Sequence, residues 1–298
     1  MSKRNLNKVQ KAAVEAFGRP VLIFAGAGSG KTRVLTHKIA HLIENNLVPA
    51  ENILAVTFTN KAAQEMRGRV NGLIKESKMR STIGTFHSIC ARVLRKEIHH
   101  LGYSSDFSIF DVADQVTLVK VVLEAMDIPK NYVTPQEVRH KISYFKNKLI
   151  KPEEAKKKAH LVIEKTYADI YKNYQKALAK NNAVDFDDLL LLPIELFEKH
   201  PAILEKYREN WQYILVDEYQ DTNKPQFMLV KYLAQKHQQI CVVGDDDQSI
   251  YGWRGADIRN ILDFEKNFGN CEVFKLEKNY RSSAHILEAA ASVVKKQC

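Results

Sequence analysis

Ala25-Gly26-Ala27-Gly28-Ser29-Gly30-Lys31-Thr32 is the most informative segment of this 298-residue chain. It follows an apolar run at residues 21–24 and precedes residues 33–39, whose apolar side chains have helical spacing. A strand, a turn of small residues and a helix in this order form a phosphate cradle. Successive backbone N–H groups of the turn point at one anion, and the helix N-terminus adds a partial positive charge.

The pattern is GxxxxGK[ST] with Ala25 in place of the first glycine, a small residue that the turn accepts. In such a turn Lys31 reaches the β- and γ-phosphates, and the Thr32 hydroxyl coordinates Mg²⁺. The strand before and the helix after disfavour the alternative, a glycine-rich turn that happens to carry a lysine. The sequence therefore predicts binding of a nucleoside triphosphate together with Mg²⁺.

The bulk composition bounds the class of protein. With 45% hydrophobic and 27% charged residues the chain is typical of a soluble globular protein, long enough for two domains or for one core with a large insertion. Its apolar runs are shorter than the ~18 residues of a membrane helix, and residues 1–7 lack the apolar stretch of a secretion signal. The cysteines are far apart in sequence, which favours reduced thiols in a cytosol over a zinc site: Cys90, Cys241, Cys271 and Cys298.

Positive charge is concentrated in one part of the chain. The formal net charge is +10, and residues 130–180 contain 13 Lys and Arg against 5 Asp and Glu, which is a local net charge of +8. A basic face of this size suits a polyanion, most simply nucleic acid. A solvated helical surface is the alternative, and charge alone does not separate the two.

The order of apolar runs predicts an interrupted α/β domain. Short β-rich runs at residues 21–24, 53–58 and 81–86 alternate with helical segments, and the alternation resumes at 213–216, 240–243 and 271–274. Between them, three helical segments are predicted to start near Asp111, Pro135 and Pro152, with no convincing strand over 111–182. We therefore expect an α/β domain at residues 1–110 and 185–298, with a parallel sheet, and a basic helical insertion at 111–184.

Two polar clusters follow strands of this predicted sheet, where parallel sheets bind ligands. Asp217 and Glu218 come directly after the strand at 213–216: Asp217 can hold Mg²⁺, and Glu218 can orient and deprotonate an attacking water. The second cluster is GDDDQS at 244–249, in which the Gln248 amide can bond the γ-phosphate before hydrolysis and release it afterwards. An acidic pair after an apolar run is a weak signal by itself, but the phosphate turn strengthens it.

The segment after Gln248, IYGWRG at 250–255, combines two aromatic residues and a cation. Exposed aromatic rings stack on the bases of single-stranded nucleic acid, and a nearby arginine meets its phosphates. The alternative is that Tyr251 and Trp253 are ordinary core aromatics, which composition alone favours.

Together with further motifs, these clusters stand in a recognisable order. The motifs are Leu6-Asn7 with Gln10, AGAGSGKTR, TFTNKAA, GTFHS, DFDDLL, VDEYQDTN, GDDDQSIYGWRGA and LEKNYRSS. From residue 6 to about 290 the chain resembles the N-terminal part of a superfamily I DNA helicase of the UvrD/Rep/PcrA group. The resemblance implies a RecA-like P-loop NTPase fold, with a parallel sheet flanked by helices and an all-helical inserted subdomain. It also implies ATP and Mg²⁺ as cofactors.

The resemblance assigns roles to individual positions. In the ATP site, Gln10 would read the adenine edge, Arg33 and Tyr280 would pack on its faces, and Arg281 would contact the γ-phosphate. With Lys31, Asp217, Glu218 and Gln248, Arg281 completes the implied catalytic set. The implied DNA contacts are the stacking aromatics Phe58, Phe186, Tyr251 and Trp253, and the polar residues Thr57, Thr59, Asn60, Lys61, His87 and Arg254. By itself His87 would more often be a structural histidine, and the alternative role of the carboxylates around Phe186 is to cap the following helix.

The resemblance also implies a partner module. Helicases of this group have a second RecA-like domain that closes over the nucleotide, and this sequence contains none, so we expect a fragment or a natural truncation. Such a chain would bind Mg-ATP, single-stranded DNA and single-strand/duplex junctions, hydrolyse ATP very slowly and fail to unwind. The intact protein would move 3′→5′ in DNA repair or replication restart in a bacterial cytosol. The alternatives are the motor part of a helicase–nuclease and a non-catalytic, ATP-gated DNA-binding or partner-docking module.

Overall fold

A computed structural model of the chain describes residues 6–74, 81–252 and 255–294. It contains two compact units. The first, called here the α/β unit, comprises Met1–Phe86, Glu205–Thr222 and Val230–Cys298, and the second, the helical unit, comprises His87–Leu204 and Asn223–Leu229. The predicted insertion at 111–184 falls within the helical unit, and its bounds stay a prediction.

The secondary structure follows the predicted alternation. The strands are β1 (Val21–Ala25), β2 (Ile53–Thr57), β3 (Thr82–Thr85), β4 (Ser108–Phe110), β5 (Ala183–Asp185), β6 (Tyr213–Val216), β7 (Ile240–Gly244) and β8 (Glu272–Leu276). The helices are α1 (Lys8–Glu15), α2 (Lys31–Glu44), α3 (Asn60–Leu73), α4 (Phe86–Glu97), α5 (Val112–Ala125), α6 (Pro135–Asn147), α7 (Pro152–Lys158), α8 (Val162–Lys180), α9 (Asp188–Lys199), α10 (Pro201–Asn210), α11 (Lys224–Ala234), α12 (Arg259–Leu262), α13 (Phe264–Phe268) and α14 (Ala284–Val294).

The α/β unit is built on a six-stranded sheet in the order β3-β2-β6-β7-β1-β8, in which all the pairs are parallel. The inner strands β2, β6 and β7 are buried along their whole length, whereas the edge strand β8 is half exposed. Continuous apolar runs suit strands that are covered on both faces. The predicted parallel α/β fold is confirmed, with each of its predicted strands in place.

This sheet brings the polar segments of the sequence to one edge. The phosphate turn follows β1, the Asp217–Glu218 pair follows β6, Asp245 follows β7, and residues 277–283 follow β8. Because parallel strands end at the same edge of a sheet, these segments share the edge at which α/β proteins bind ligands.

A buried lysine fixes helix α1 against this core. Lys38 on α2 is fully buried, and its ammonium donates to the carbonyls of Ala13 (2.9 Å) and Ala16 (2.6 Å) at the C-terminal end of α1. Burial lowers the pKa of Lys38. The positive charge faces the negative end of the helix dipole, which stabilises it there. Lys38 thereby holds in place the helix that carries Gln10.

The helical unit has its own core, formed by α5, α6, α7 and α8, with residues such as Val119, Ile142, Tyr171 and Leu178. It also contains a short parallel pair of strands, β4 and β5, which the sequence analysis did not predict. A strand of three residues is too short to show a clear period-two pattern, so the pairing of β4 with β5 cannot be predicted from the sequence.

The third predicted helical segment is wrong in its extent, because it is two helices. Helix α7 ends at Lys158 and α8 begins at Val162. At the break the Glu164 carboxylate accepts hydrogen bonds from the backbone N–H groups of His160 (2.8 Å) and Leu161 (3.1 Å). The first N–H groups of a helix have no intrahelical partners, and the Glu164 carboxylate supplies partners for two N–H groups at the start of α8. It therefore favours a new helix at this point over an extension of α7.

Among the residues that the structure describes, no helix combines the length and apolar character that crossing a membrane requires.

Candidate nucleotide site and DNA-contact residues

The phosphate turn is closed by its own hydrogen bonds. The backbone N–H and the hydroxyl of Ser29 both donate to the carbonyl of Gly26, at 3.1 and 2.7 Å. Gly28 and Gly30 have φ values of +73° and +94°, in the left-handed region that glycine adopts without steric cost. Helix α2 begins immediately afterwards at Lys31, so its first N–H groups belong to the cradle.

The segment that follows β8 is bound to this turn. The Asn279 amide donates to the Ala27 carbonyl, and the Tyr280 N–H donates to the Gly28 carbonyl at 2.9 Å. A Cβ atom at Gly28 would lie 2.7 Å from Cβ of Arg281, so only glycine allows this approach. The structure thus brings Arg281 next to the phosphate turn, 250 residues away in sequence, with its exposed side chain available to a ligand.

Asn279 is a residue that the sequence analysis missed. Its carbonyl oxygen accepts hydrogen bonds from the backbone N–H groups of Arg281 and Ser282, both at 2.8 Å, while its amide holds the phosphate turn. It therefore fixes the backbone from which the Arg281 side chain projects. Its position inside LEKNYRSS was the only available signal.

Gln10 lies on the other side of the turn. Its buried amide donates to the Ser29 carbonyl at 2.9 Å and accepts from the Asn7 N–H at 3.0 Å. An amide has two N–H groups and two lone pairs, so one of each is left for the base edge implied by the resemblance. The Asn7 side chain in turn donates to the Tyr280 hydroxyl at 2.8 Å, and the Tyr280 ring is 51% exposed. Arg33 is half-buried in the first turn of α2.

The acidic pair after β6 meets the phosphate-turn lysine directly. Lys31 Nζ lies 2.8 Å from Glu218 Oε2, within a salt bridge whose lysine side chain is only 11% exposed. Glu218 itself has φ +50° and ψ +45°, a left-handed conformation that is uncommon outside glycine. Backbone strain of this kind is held in place by the surrounding structure and is concentrated at functional sites.

Asp217 is suited to a cation. It is buried, and its Oδ1 accepts from the Glu218 N–H at 3.0 Å. Burial, and next the charge of Glu218, raise its pKa from 3.8 to about 7. A desolvated carboxylate gains most from a metal ion that restores its lost electrostatic stabilisation. Asp217 and the half-buried Thr32 therefore fit the Mg²⁺ role that the sequence predicts for them.

A second missed residue, Gln220, connects the acidic pair to β7. Its Nε2 donates to Glu218 Oε2 at 3.0 Å, and its Oε1 accepts from the Asp245 N–H at 3.0 Å. A Cβ atom at Gly244 would lie 2.6 Å from Gln220 Oε1, so the glycine makes room for the bridge. Gln248 reaches the same group, because its amide donates to the Asp245 carboxylate.

The candidate DNA contacts of the α/β unit surround the end of β2. Thr59, Asn60 and Lys61 are exposed at the start of α3, and the Phe58 ring is half-buried against Phe86, with 6.0 Å between the ring centroids. Thr57 is different, because it is buried and its hydroxyl donates to the Thr59 carbonyl at 3.1 Å. Its visible role is to shape this loop. Tyr251 is half-buried, and Trp253 and Arg254 lie outside the described residues.

In the helical unit the structure brings together His87 and Phe186, whose ring centroids are 4.7 Å apart. Phe186 is 54% exposed, which is unusual for a phenylalanine and suits a stacking surface. Burial lowers the pKa of His87 to about 4, so its imidazole is neutral at physiological pH. His87 thus supports the Phe186 ring or donates a neutral hydrogen bond.

The carboxylates that flank Phe186 have structural partners. Asp185 and Asp188 accept each other's backbone N–H, at 2.9 and 3.2 Å, which is the capping role considered for this motif. The buried Lys146 ammonium lies 2.6 Å from Asp185 and 2.8 Å from Asp188, and the Tyr174 hydroxyl donates to Asp185 at 3.0 Å. Capping and display of the aromatic ring are therefore compatible.

A parallel α/β sheet whose strand β1 ends in a phosphate turn, with an acidic pair at the end of β6, two places away in the strand order, defines a P-loop nucleotide-binding protein. A sequence profile described as the UvrD/REP helicase N-terminal domain matches residues 6–269. The chain belongs to this family.

Individual relatives support the same assignment. The chain is 50% identical over 290 residues to the ATP-dependent DNA helicase PcrA of Bacillus subtilis (strain 168), a match that covers 97% of this chain and 39% of the relative. It is also 50% identical over 292 residues to PcrA of Staphylococcus epidermidis (strain ATCC 12228 / FDA PCI 1200), covering 98% and 40%. For PcrA of Staphylococcus aureus (strain COL) the identity is 48% over 291 residues, covering 98% and 40%. The chain thus spans about two fifths of the length of these relatives.

Proposed function

We propose that this chain is the ATP-binding and single-strand-binding part of an ATP-dependent DNA helicase motor. The observation that carries the proposal is the 2.8 Å contact between Lys31 of the phosphate turn and Glu218 of the acidic pair. This contact lies at the sheet edge that also holds the turn, Asp217 and Arg281, and it supports a phosphate-binding role for Lys31 and a general-base role for Glu218. A relative that is 50% identical to the chain is named an ATP-dependent DNA helicase, which supports the proposal.

The residues divide the chemistry among themselves. Residues 26–30 and Lys31 bind the β- and γ-phosphates of ATP, and Gln10, Arg33 and Tyr280 hold the adenine. Thr32 and Asp217 hold Mg²⁺, which when bound neutralises phosphate charge and polarises the γ-phosphate. When ATP binds, its phosphate oxygens replace Glu218 as the partner of the Lys31 ammonium. The Glu218 carboxylate is then free to accept a proton from the attacking water. Arg281 stabilises the negative charge of the transition state, and Gln248 senses the γ-phosphate.

Candidate contacts to single-stranded DNA lie within each unit, and each set is proposed separately. Thr59, Asn60 and Lys61 contact the backbone, and Phe58, Phe186, Tyr251 and Trp253 stack on bases. Thr57, His87 and Arg254 make the remaining contacts with the DNA strand. The partners we propose are single-stranded DNA and single-strand/duplex junctions, together with a second RecA-like domain of the whole protein. From the family resemblance, the whole protein would move 3′→5′ in repair or replication restart. The 298-residue chain by itself would hydrolyse ATP slowly.

Phe186→Ala is expected to weaken binding of an oligo-dT strand by about 5- to 100-fold, because stacking contributes ~1–3 kcal/mol per base. The measurement is fluorescence anisotropy of a labelled oligo-dT at fixed salt, since phosphate contacts make affinity salt-dependent. Tyr144→Ala is the matched control, because Tyr144 is an aromatic residue of the helical unit that is 52% exposed and outside the proposed surface. Equal affinities for the unaltered chain and Phe186→Ala would contradict the stacking role.

A further inference from the structure

Asn147, a residue that no motif singled out, occupies a branching point in the helical unit. It is the last residue of α6, and its Nδ2 donates to Asp187 Oδ1 at 3.1 Å. Its Oδ1 accepts a hydrogen bond from Asn223 Nδ2 at 2.7 Å. One side-chain amide therefore bonds two segments that are 36 residues apart in sequence.

The first of these segments carries the proposed stacking ring. Asp187 follows Phe186 directly, and the preceding residue of α6, Lys146, binds Asp185 and Asp188. Two consecutive residues at the end of α6 thus hold the carboxylates on both sides of Phe186. Asn147 bonds Asp187, the residue that directly follows Phe186 in the chain.

The second segment continues from the acidic pair. Asn223 is five residues after Glu218 in the chain, and it precedes the first residue of α11. Its backbone N–H donates to Gln226 Oε1, and its Oδ1 accepts from the Gln226 N–H, both at 3.0 Å. These two bonds fix the Asn223 side chain and direct its remaining donor to Asn147. Close by, Lys224 Nζ donates to the Lys148 carbonyl at 3.4 Å.

We propose that Asn147 is a positioning residue that connects the start of α11 to the turn at residues 186–187, which carries the Phe186 ring. Through this connection the affinity for single-stranded DNA depends on the bound nucleotide. The inference rests on the proposed function. A nucleotide whose phosphates bind Lys31 breaks the contact between Lys31 and Glu218. Glu218 belongs to the segment that leads directly into Asn223, so the loss of this contact changes the position of that segment. Hydrogen-bond networks are one of the physical routes that carry coupling between two sites.

The test is a linkage measurement on the 298-residue chain. The dissociation constant of labelled oligo-dT is measured without nucleotide and with Mg²⁺ and a non-hydrolysable ATP analogue, and the affinity for the analogue is measured alone. We expect the unaltered chain to change its affinity for the strand by at least about fivefold on nucleotide binding, the lower end of typical coupling. In Asn147→Leu the ratio should fall below about twofold, while each ligand alone binds within about twofold of the unaltered chain.

Two further variants make the measurement decisive. Asn147→Asp is nearly isosteric and keeps the acceptor for Asn223, but it sets a carboxylate against Asp187, so it should lose the coupling even if Asn147→Leu folds poorly. Asn147 Nδ2 also donates to the carbonyl four residues before it, that of Ser143, at 2.9 Å. Asn173→Leu is the matched control, because Asn173 makes the same kind of bond, to the Asp169 carbonyl at 3.0 Å, but its other contact is with Met126. Asn173→Leu should keep the coupling.

Four results would overturn the inference. Full coupling in both Asn147 variants would show that the amide carries none of it, and equal weakening of strand binding with and without nucleotide would reduce Asn147 to a structural part of the surface. An unaltered chain that binds both ligands without coupling leaves Asn147 nothing to transmit. An unaltered chain that binds neither ligand contradicts the proposed function itself, and the inference with it.

Discussion

Glu218→Gln is expected to lower ATP turnover by about 10²- to 10⁴-fold, the usual contribution of a general base, while nucleotide affinity changes by less than about threefold. Both donors to this side chain, Lys31 and Gln220, bond the same oxygen, Oε2. An amide oxygen can accept both hydrogen bonds, so the variant keeps these two contacts while it removes the charge and the basicity of the carboxylate. The measurement is phosphate release at high chain concentration with labelled oligo-dT present.

The control for this variant is Glu265→Gln, which makes the same chemical change at an exposed position of α13. It should leave turnover unchanged. Turnover in Glu218→Gln within about threefold of the unaltered chain would contradict the general-base role.

Lys146→Met is expected to lower the free energy of unfolding by about 3–5 kcal/mol at neutral pH. Removing one partner of a buried ion pair leaves uncompensated charge, which is the costly case. Here Lys146 is fully buried and serves two carboxylates, at 2.6 and 2.8 Å. The measurement is urea denaturation. Lys172→Met is the matched control, because Lys172 lies in the same unit and is half-exposed, with its closest acid, Glu153, 3.6 Å away.

The cost of Lys146→Met should also depend on pH. Burial, and next the charge of Asp185, raise the pKa of Asp188 from 3.8 to about 7. The native state therefore binds a proton more tightly than the unfolded chain, and this group's contribution to stability falls as pH rises from about 4 to 7. Without the lysine the carboxyls lose their cation, so the variant should be destabilised more at pH 8 than at pH 5. An equal loss at both values would contradict this charge assignment.

The fold was largely predictable because its signals are local. Each strand of the main sheet is a short apolar run next to a turn or a polar cluster, and the phosphate turn fixes the strand–turn–helix order around residues 25–31. The break between α7 and α8 was not predictable from periodicity, since it depends on how the Glu164 side chain folds back. Strands β4 and β5 were missed because three residues each show no period.

The candidate site, like the fold, was only partly predictable from the sequence. Lys31 and Asp217 were predicted because they follow strands in motifs whose spacing the chemistry demands, whereas Arg281 was predicted only through the family resemblance. Gln220, Asn279 and Asn147 were not found, because each acts through hydrogen bonds to partners that only the folded chain brings near. The 2.8 Å contact between Lys31 and Glu218 joins positions 187 residues apart, and no spacing rule indicates it.

The most direct test of the central claim is equilibrium binding of a fluorescent ATP analogue to the 298-residue chain, with and without Mg²⁺. We expect Mg²⁺-dependent binding that is weakened about 10- to 100-fold in Lys31→Ala, because a charge-assisted bond to phosphate contributes ~1.5–3 kcal/mol. Lys11→Ala, which removes an exposed lysine of α1, should bind like the unaltered chain. Equal binding by Lys31→Ala and the unaltered chain, or binding indifferent to Mg²⁺, would contradict the assignment of residues 25–32 as the phosphate site.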